Sequence, residues 1–420
     1  MKILVIGSGG REHALAWKLG QTAQIFCAPG NAGTALAGDN IALAVSEQSK
    51  LARFAKENHI DLTVIGPDDA LAAGIVDRFE ENGLVVFGPN QKAARLESSK
   101  IFAKEMMRAQ KIPTARAETF SSSADAITYC AQQKFPLVIK ADGLALGKGV
   151  IIAEDRGGAE KAIREMMDAR AFGEAGAQIV IEEFLRGSEC SVQAFVSGNE
   201  FRVLGTARDH KRALECDRGP NTGGMGAVSP AEPWTNADDR MLADTIMTPL
   251  LRGLREAGVH FRGLLFPGLM LTSDGARVLE FNCRFGDPET QAILPRLKSD
   301  LAPLLLATIH GELANVAIEL DPRIAVTVIL ASGGYPGKYE TGKTIEGLAT
   351  AARLPNVHIF HAGTKRSGDQ IVSSGGRVLA VTALGDDIAE ARARAYAAVE
   401  HIHFEGCHFR RDIALAAGRE

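Results

Sequence analysis

The residues Lys140-Ala141-Asp142-Gly143-Leu144-Ala145-Leu146-Gly147-Lys148-Gly149-Val150 combine two lysines with a glycine-rich turn. Such a loop lets the backbone approach a polyanion and present N–H groups to it. It is not a Walker loop: only three residues separate Gly143 from Gly147, and Gly149 rather than Ser or Thr follows Lys148. It is either a phosphate-holding loop of another kind or a plain hairpin. Further on, "VLEFNCRFGDPE" reads as a strand that alternates its faces, placing Glu280, Asn282 and Arg284 on one side. A carboxylate and an amide oxygen are hard ligands suited to Mg2+, and Arg284 could hold a carboxylate or a transferring phosphoryl group. Three polar residues on one face of an apolar strand are costly to bury without a partner. In "IVIEEFLRGSE" a buried strand runs out into Glu182, Glu183, Phe184, Leu185 and Glu189, either a ligand-facing hinge or a solvated strand end. "DHKRALECDRGPNTGGMGAVSP" sets Asp209, His210, Lys211 and Arg212 before a loop with Asn221, Thr222, Gly223, Gly224 and Gly226.

The elements that must carry these residues follow from hydrophobic periodicity. "KILVIG", "QIFCAP", "DLTVIGP" and "LVVFGP" are short strands, with helices predicted over Arg11–Leu19 and in "SKLARFAKEN" and "AGIVDRFEEN". This alternation implies a doubly wound parallel sheet, whose ligands sit at the carboxyl ends of the strands. The first post-strand loop, Gly7-Ser8-Gly9-Gly10-Arg11-Glu12, is a poor dinucleotide fingerprint. Glu12 occupies the third glycine's place, and no acid closes the second strand. What survives is a helix N-terminus suited to an anion, beside Arg11. A helical segment over roughly 91–111 leads to "FPLVIK", which delivers Lys140 at a strand end, and to a helix over 158–168. The tail has strand runs "AVTVILA" and "RVLAVTAL" and a helix over 387–401. The domains read as 1–100, 101–186, 187–323 and 324–420.

Length and composition agree with a chain of several packing units. There are 420 residues, 46% hydrophobic and 23% charged. The net charge of −4 gives no bulk attraction to nucleic acid, and no apolar run is long enough to span a bilayer. The N-terminus reads as a first strand rather than a signal peptide. Cys27, Cys130, Cys190, Cys216, Cys283 and Cys407 form no CxxC pair, as expected of reduced thiols in a cytoplasmic protein. No Ser/His/Asp or Cys/His nucleophile set stands out. His13, in the first helix, could be a base but reads better as a packing or phosphate-contact residue.

The glycine loop and the "IVIEEFLRGSE" segment resemble the lid and hinge of the ATP-grasp superfamily. Over its whole length the chain resembles the glycinamide ribonucleotide synthetases, through "GSGGREHALAWKL", "APGNAGTA", "LESSKIFAKEMM", "IKADGLALGKGVI", "DHKR", "GPNTGGMGA", "LEFNCRFGDPETQ", "GGYPGKY", "FHAGT" and "GGRVLAVTALG". The resemblance implies an α/β protein, α+β in its ATP-binding part. It would have a doubly wound N-terminal domain, a two-lobe ATP-grasp core with a mobile lid, and a small C-terminal α/β domain. It implies ATP-dependent joining of glycine to 5-phosphoribosylamine, with ATP and Mg2+ (or Mn2+) as cofactors. The expected protein is a cytoplasmic monomer acting on small molecules, with no nucleic-acid or membrane partner. It places ATP against Lys100, with Lys104 second, and against Lys140, Gly143, Gly147, Lys148, Gly149, Glu182, Glu183, Phe184, Leu185 and Glu189. It places the ribosylamine at Gly9, Gly10, Arg11, Glu12, Asn31, Ala32, Gly33, Thr34 and Asp68. Glycine and the transferred phosphoryl group would lie near Asn221, Thr222 and Arg284. Arg284, Lys148, Asp209 and Asp287 would serve the reacting groups, and Glu280 and Asn282 the metal. ATP-grasp members commonly add an acidic metal ligand from the preceding strand, but here that strand reads "GLLFPGLMLT". The shell is expected to be thinner or completed by water.

Overall fold

The structure, a computed structural model, describes residues 1–145, 149–232 and 234–415. Near-continuous apolar runs produce a five-stranded parallel sheet in the order Asp39–Asn40, Gln24–Pro29, Lys2–Gly7, Leu62–Ile65, Val86–Phe87. Helices cover both of its faces, so its central strands are buried throughout, as the apolar runs require. The first turn feeds the helix Gly10–Leu19.

The predicted helix over 91–111 is two helices, Gln91–Ser98 and Lys100–Ala109. Ser99 breaks it. Its backbone is extended and its Oγ accepts from the Phe102 N–H, which makes it the N-cap of the second helix. The Asp142 carboxylate accepts from Ser99 Oγ and from the Ile101 N–H, tying the break to the start of the glycine loop. Lys100 therefore sits on the first turn of a new helix facing that loop.

A four-stranded antiparallel sheet follows, in the order Ala117–Phe120, Ile179–Glu183, Leu137–Ala141, Val150–Ala153. One face, with Leu137, Ile139, Ala141, Ile179 and Ile181, packs on its own helices. The other carries Lys140 and Glu182. The third sheet has eight strands: Gly275–Asn282, Arg262–Thr272, Ser188–Ser197, Glu200–Asp209, Gly226–Ser229, Ile324–Ala331, Arg377–Gly385 and Val357–His361. The tail's strands thus extend the sheet that carries Glu189, Asp209 and Glu280, through the pairing of Gly226–Ser229 with Ile324–Ala331. The tail also packs on the N-terminal helix, where Trp17 and His13 meet Phe360 edge-on. No helix among the described residues is long and apolar enough to cross a membrane.

Candidate active site

Lys140 and Glu182 face the same way because they are diagonal neighbours on adjacent strands; Val138 lies opposite Glu182. Lys140 Nζ is 3.0 Å from one oxygen of Glu182 and Lys104 Nζ is 3.0 Å from the other. Lys140 also donates to the Leu279 carbonyl at 3.0 Å, which joins the small sheet to the strand bearing Glu280. Lys104 spends further bonds on Thr114 Oγ1 at 2.7 Å and the Ala115 carbonyl at 3.4 Å, so its contacts lie within the protein. Burial lowers the Lys104 pKa, with Glu182 opposing the shift. Lys100 is placed differently. Its Nζ donates to the Gly143 carbonyl at 2.9 Å, and it lies within the electrostatic reach of Glu280, Lys140 and Asp142. Gly143, at φ +153°, has a backbone that favours glycine, and a Cβ there would fall 2.6 Å from Ala175. Gly149 closes the loop by accepting from Ala141 N at 2.8 Å. Gly147 and Lys148 lie outside the described residues.

Glu280 and Asn282 share one face of their strand, while Phe281 and Cys283 face the core. Burial alone would raise the Glu280 pKa. Lys211, Lys140, Lys100 and Arg284 outweigh burial and hold it below the ordinary value, so the carboxylate stays ionised. Asn282 Oδ1 accepts from Arg284 Nη2 at 3.1 Å. An ionised carboxylate beside an amide oxygen fits Mg2+. The residue opposite Glu280 is Gly268, where the expected second acid is absent. Among the described residues, no group of three or more His, Cys, Asp or Glu side chains forms a metal centre.

Glu189 reaches the same cluster through Lys211, whose Nζ is 2.9 Å away. Burial tends to lower the Lys211 pKa, but Glu189, Glu280 and Asp209 outweigh burial and raise it. Lys140, Glu280 and Glu189 thus belong to one charged cluster, although they come from three separate stretches of chain.

Arg284 is anchored by a residue the sequence reading missed. Glu97, on the helix before Ser99, lies 2.9 Å from Arg284 Nη2 and accepts from the Cys283 N–H at 2.7 Å. Asp68 lies within the electrostatic reach of both Glu97 and Arg284, which brings the N-terminal domain close to this cluster. Asp287 joins through the tail. Arg377 Nη2 is 3.3 Å from its carboxylate, and Arg377 Nη1 donates to the Asp287 carbonyl at 2.8 Å and to the Gly223 carbonyl. Tyr335 Oη accepts from the Gly223 N–H at 3.0 Å. Arg377 and Arg11 together outweigh the effect of burial and keep the Asp287 pKa low.

Other predicted residues are occupied by structural work. Arg11 and Glu12 pair at 2.6 Å, and Arg11 also donates to the Phe285 carbonyl at 3.2 Å. Glu12 accepts from Gly9 N at 2.6 Å, so it caps the helix that an anion was expected to occupy. Asn31 donates to the Ser8 and His361 carbonyls, both at 2.8 Å, and accepts from the backbone N–H groups of Gly33 and Thr34. Thr34 Oγ1 contacts Asn40 Oδ1 at 2.7 Å. The side chains of Arg11, Glu12, Asn31 and Thr34 are therefore engaged inside the protein. Gly10 and Ala32 are buried beside them, with Gly33 packed on His13 and His361. Glu183 points away from Glu182 and pairs with Arg116 at 2.9 Å and Arg277 at 3.3 Å, outside the lysine cluster. Phe184 and Leu185 are half-buried, with the Arg186 guanidinium 5.6 Å from the Phe184 ring centroid. Thr222 Oγ1 donates to the Lys211 carbonyl at 2.8 Å, and Asn221 pairs with Arg212 in a short hairpin. His13 is buried, and its Nδ1 accepts from His361 N at 2.7 Å. Burial first, then His361, lowers its pKa to about 3, so it is a neutral packing residue.

An antiparallel lobe bearing paired lysines and an ionised carboxylate on the facing sheet define an ATP-grasp enzyme. Family models for the phosphoribosylglycinamide synthetase N domain, ATP-grasp (A) domain and C domain match residues 1–97, 98–290 and 325–416. The chain belongs to the phosphoribosylglycinamide synthetase family. It is 48% identical to the phosphoribosylamine–glycine ligase of Pseudomonas aeruginosa over 99% of this chain and 98% of that protein. It is likewise 48% identical to the Escherichia coli K12 ligase over 99% of each. The crystal structure of the Thermotoga maritima ligase superposes with a TM-score of 0.85 at 37% identity, covering 98% of this chain and 100% of that one. Biotin carboxylase from Campylobacter jejuni shares the fold at a TM-score of 0.74 and 14% identity, covering 99% of this chain and 94% of that one.

Proposed function

We propose that this chain is an ATP-dependent ligase that joins glycine to 5-phosphoribosylamine, producing glycinamide ribonucleotide, ADP and phosphate for purine synthesis. The observation that supports this reading is the clustering of Lys140, Lys100 and Arg284 around Glu280.

The chemistry explains the residue types. Glycine's carboxylate resists attack because oxide is a poor leaving group. Transfer of the γ-phosphoryl of ATP converts it to an acyl phosphate. The ribosylamine nitrogen then attacks the acyl carbon and phosphate departs. Phosphoryl transfer asks the protein for alignment and charge neutralisation rather than a nucleophile. Lys140 and Lys100 face the phosphates in this reading, and the ionised Glu280 and the Asn282 amide oxygen would hold Mg2+. The metal would neutralise phosphate charge. Arg284, anchored by Glu97, presents a guanidinium to the carboxylate as it takes up the phosphoryl group. Lys104 holds Glu182 in place rather than meeting phosphate. Lys148 is assigned to the lid on its sequence position, and Glu189 to the ribose hydroxyls. Asp68 is assigned to the ribosylamine side. A closing lid suits a reaction whose acyl phosphate water would destroy.

The test is ADP release by purified protein with Mg2+ and ATP, omitting glycine and phosphoribosylamine in turn. Full turnover requires both. Turnover with bicarbonate in place of glycine would assign the chain to carboxylation instead.

A further inference from the structure

A second acidic pair lies behind the phosphate-facing residues. Asp209 ends the strand Glu200–Asp209, and Glu289 follows the cis-linked Asp287-Pro288. Glu289 is 4% exposed, and its Oε1 accepts from Ser191 Oγ at 3.2 Å. Two residues along from Ser191, on the same strand face, Gln193 is fully buried, and neither atom of its amide has a hydrogen-bond partner. Asp209 Oδ1 is likewise buried and unpartnered. Two glycines bring backbone against this group. A Cβ on Gly286 would fall 2.6 Å from Glu289 Oε2 and 2.8 Å from Gln193 Nε2, so both side chains close on the same point. A Cβ on Gly224, at φ +109°, would fall 2.6 Å from Asp209 Oδ1.

Two buried carboxylates beside an unsatisfied amide are costly as they stand. Burial, and for Asp209 the charge of Glu289, push both carboxyls above the ordinary carboxylate range. A small cation with several N–H donors would satisfy the two unpartnered acceptors, Asp209 Oδ1 and Gln193 Oε1. The neighbours restrict which cation. Lys211 lies within the electrostatic reach of Asp209, Glu189 and Glu280, and Arg284 within that of Glu289. The pair is thus flanked by the cations that the proposed function assigns to phosphate and carboxylate.

We propose that Asp209, Glu289 and Gln193 form the subsite for the α-ammonium group of glycine. The proposal rests on the ligase function and deepens it. Acidic neighbours hold the α-amine protonated, so it has no lone pair with which to attack the activated carboxyl. The ribosylamine, which arrives from the N-terminal domain, is then the available nucleophile. This subsite selects an amino acid over a simple carboxylic acid.

The test uses the full-length enzyme. Steady-state kinetics of Glu289→Gln and Asp209→Asn should show KM for glycine rising at least roughly tenfold, with KM for ATP within about twofold of wild type. Calorimetric titration of the wild type with glycine and with glycolate, which keeps the carboxylate and lacks the ammonium, should show glycolate weaker by roughly tenfold or more. In Glu289→Gln that gap should narrow. Equal binding of glycine and glycolate by the wild type overturns the proposal even where a variant fails to fold. So does an unchanged KM for glycine in both variants, or a raised Mg2+ requirement in its place. If the wild type releases no ADP with glycine and phosphoribosylamine, it is the ligase function that fails. If it does release ADP and glycolate competes equally, only the ammonium subsite fails.

Discussion

Glu97 reaches Arg284 at 2.9 Å although the two residues lie 187 positions apart in sequence (284 − 97), and the same carboxylate fixes the backbone at Cys283. The guanidinium is thereby held by a helix that belongs to neither sheet of the ATP-grasp core. Removing one partner of a buried pair leaves the other charge uncompensated, at a cost of about 3–5 kcal/mol in favourable cases. Glu97→Gln should therefore lower kcat more than it raises KM for ATP. It should also lower the unfolding free energy measured in denaturant by a few kcal/mol. Unchanged kcat with intact folding would show that Arg284 needs no anchor.

Lys140 bonds both Glu182 and the Leu279 carbonyl and so bridges the two sheets, and in the proposed reading it also meets a phosphate. Lys140→Met should lower kcat by about a hundredfold or more, the usual scale for losing a preorganised charge at a transferring group. Lys104→Met should act chiefly on stability, because Lys104 is already spent on Glu182 and Thr114. Comparing kcat and melting temperature for the two variants separates these roles.

The Glu280–Asn282 face predicts a metal requirement met with few protein ligands. Chelation should abolish ADP release and Mg2+ should restore it, with Mn2+ a workable substitute. Glu280→Gln should raise the Mg2+ concentration giving half-maximal rate by at least about tenfold. An unaltered metal dependence in that variant would remove Glu280 from the coordination shell.

Buried neutral histidines predict an acid limb of stability. Burial lowers the pKa of His13 to about 3 and of His361 to about 4, with His361 also contributing at His13. The unfolded chain takes up these protons first, near the ordinary value of 6.5. The contribution to stability is therefore complete above about pH 6.5 and falls as the pH drops toward 4, by up to roughly 1.4 kcal/mol per unit for each group. Melting temperatures between pH 7 and 4 should fall less steeply in His13→Gln than in wild type. Parallel curves would show that the buried imidazole is not responsible.

Arg377 makes a prediction for the tail. Its fork spans Gly223, the Asp287 carbonyl and the Asp287 carboxylate, which a single ammonium cannot reproduce. Arg377→Lys should raise KM for glycine and lower kcat while leaving KM for ATP within about twofold.

Much of this site could be read from the sequence because its residues stand at strand ends, where period-two alternation fixes the face. Lys140, Glu280 and Asn282 follow directly from their apolar neighbours, and Glu189 from its place after a buried strand. Asp68 also comes within the electrostatic reach of Arg284. Glu97, Arg377, Tyr335 and Gln193 could not be found that way. Glu97 and Arg377 act across sequence separations that no local period records, and Gln193 sits in a strand whose polar residue looks like an ordinary alternation. The sequence also gave no means of separating side chains that meet ligands from those that hold loops. Asn31 and Thr34 sit in a loop that looks built for phosphate, yet their hydrogen-bonding groups are consumed by the protein. The helix break at Ser99 was legible in principle, as a serine three residues before Phe102 that could cap a new turn, but the apolar pattern runs straight through it.

The strand Gly226–Ser229 lies between Glu200–Asp209 and Ile324–Ala331. Cutting the chain near residue 323 would strip one side of that strand of its pairing partners. It would leave a raw ladder of N–H and C=O groups next to Asp209, ready to recruit a neighbouring molecule. A shortened protein of that kind should associate and precipitate rather than survive as a smaller enzyme, so the last quarter of the polypeptide is seam, not appendage.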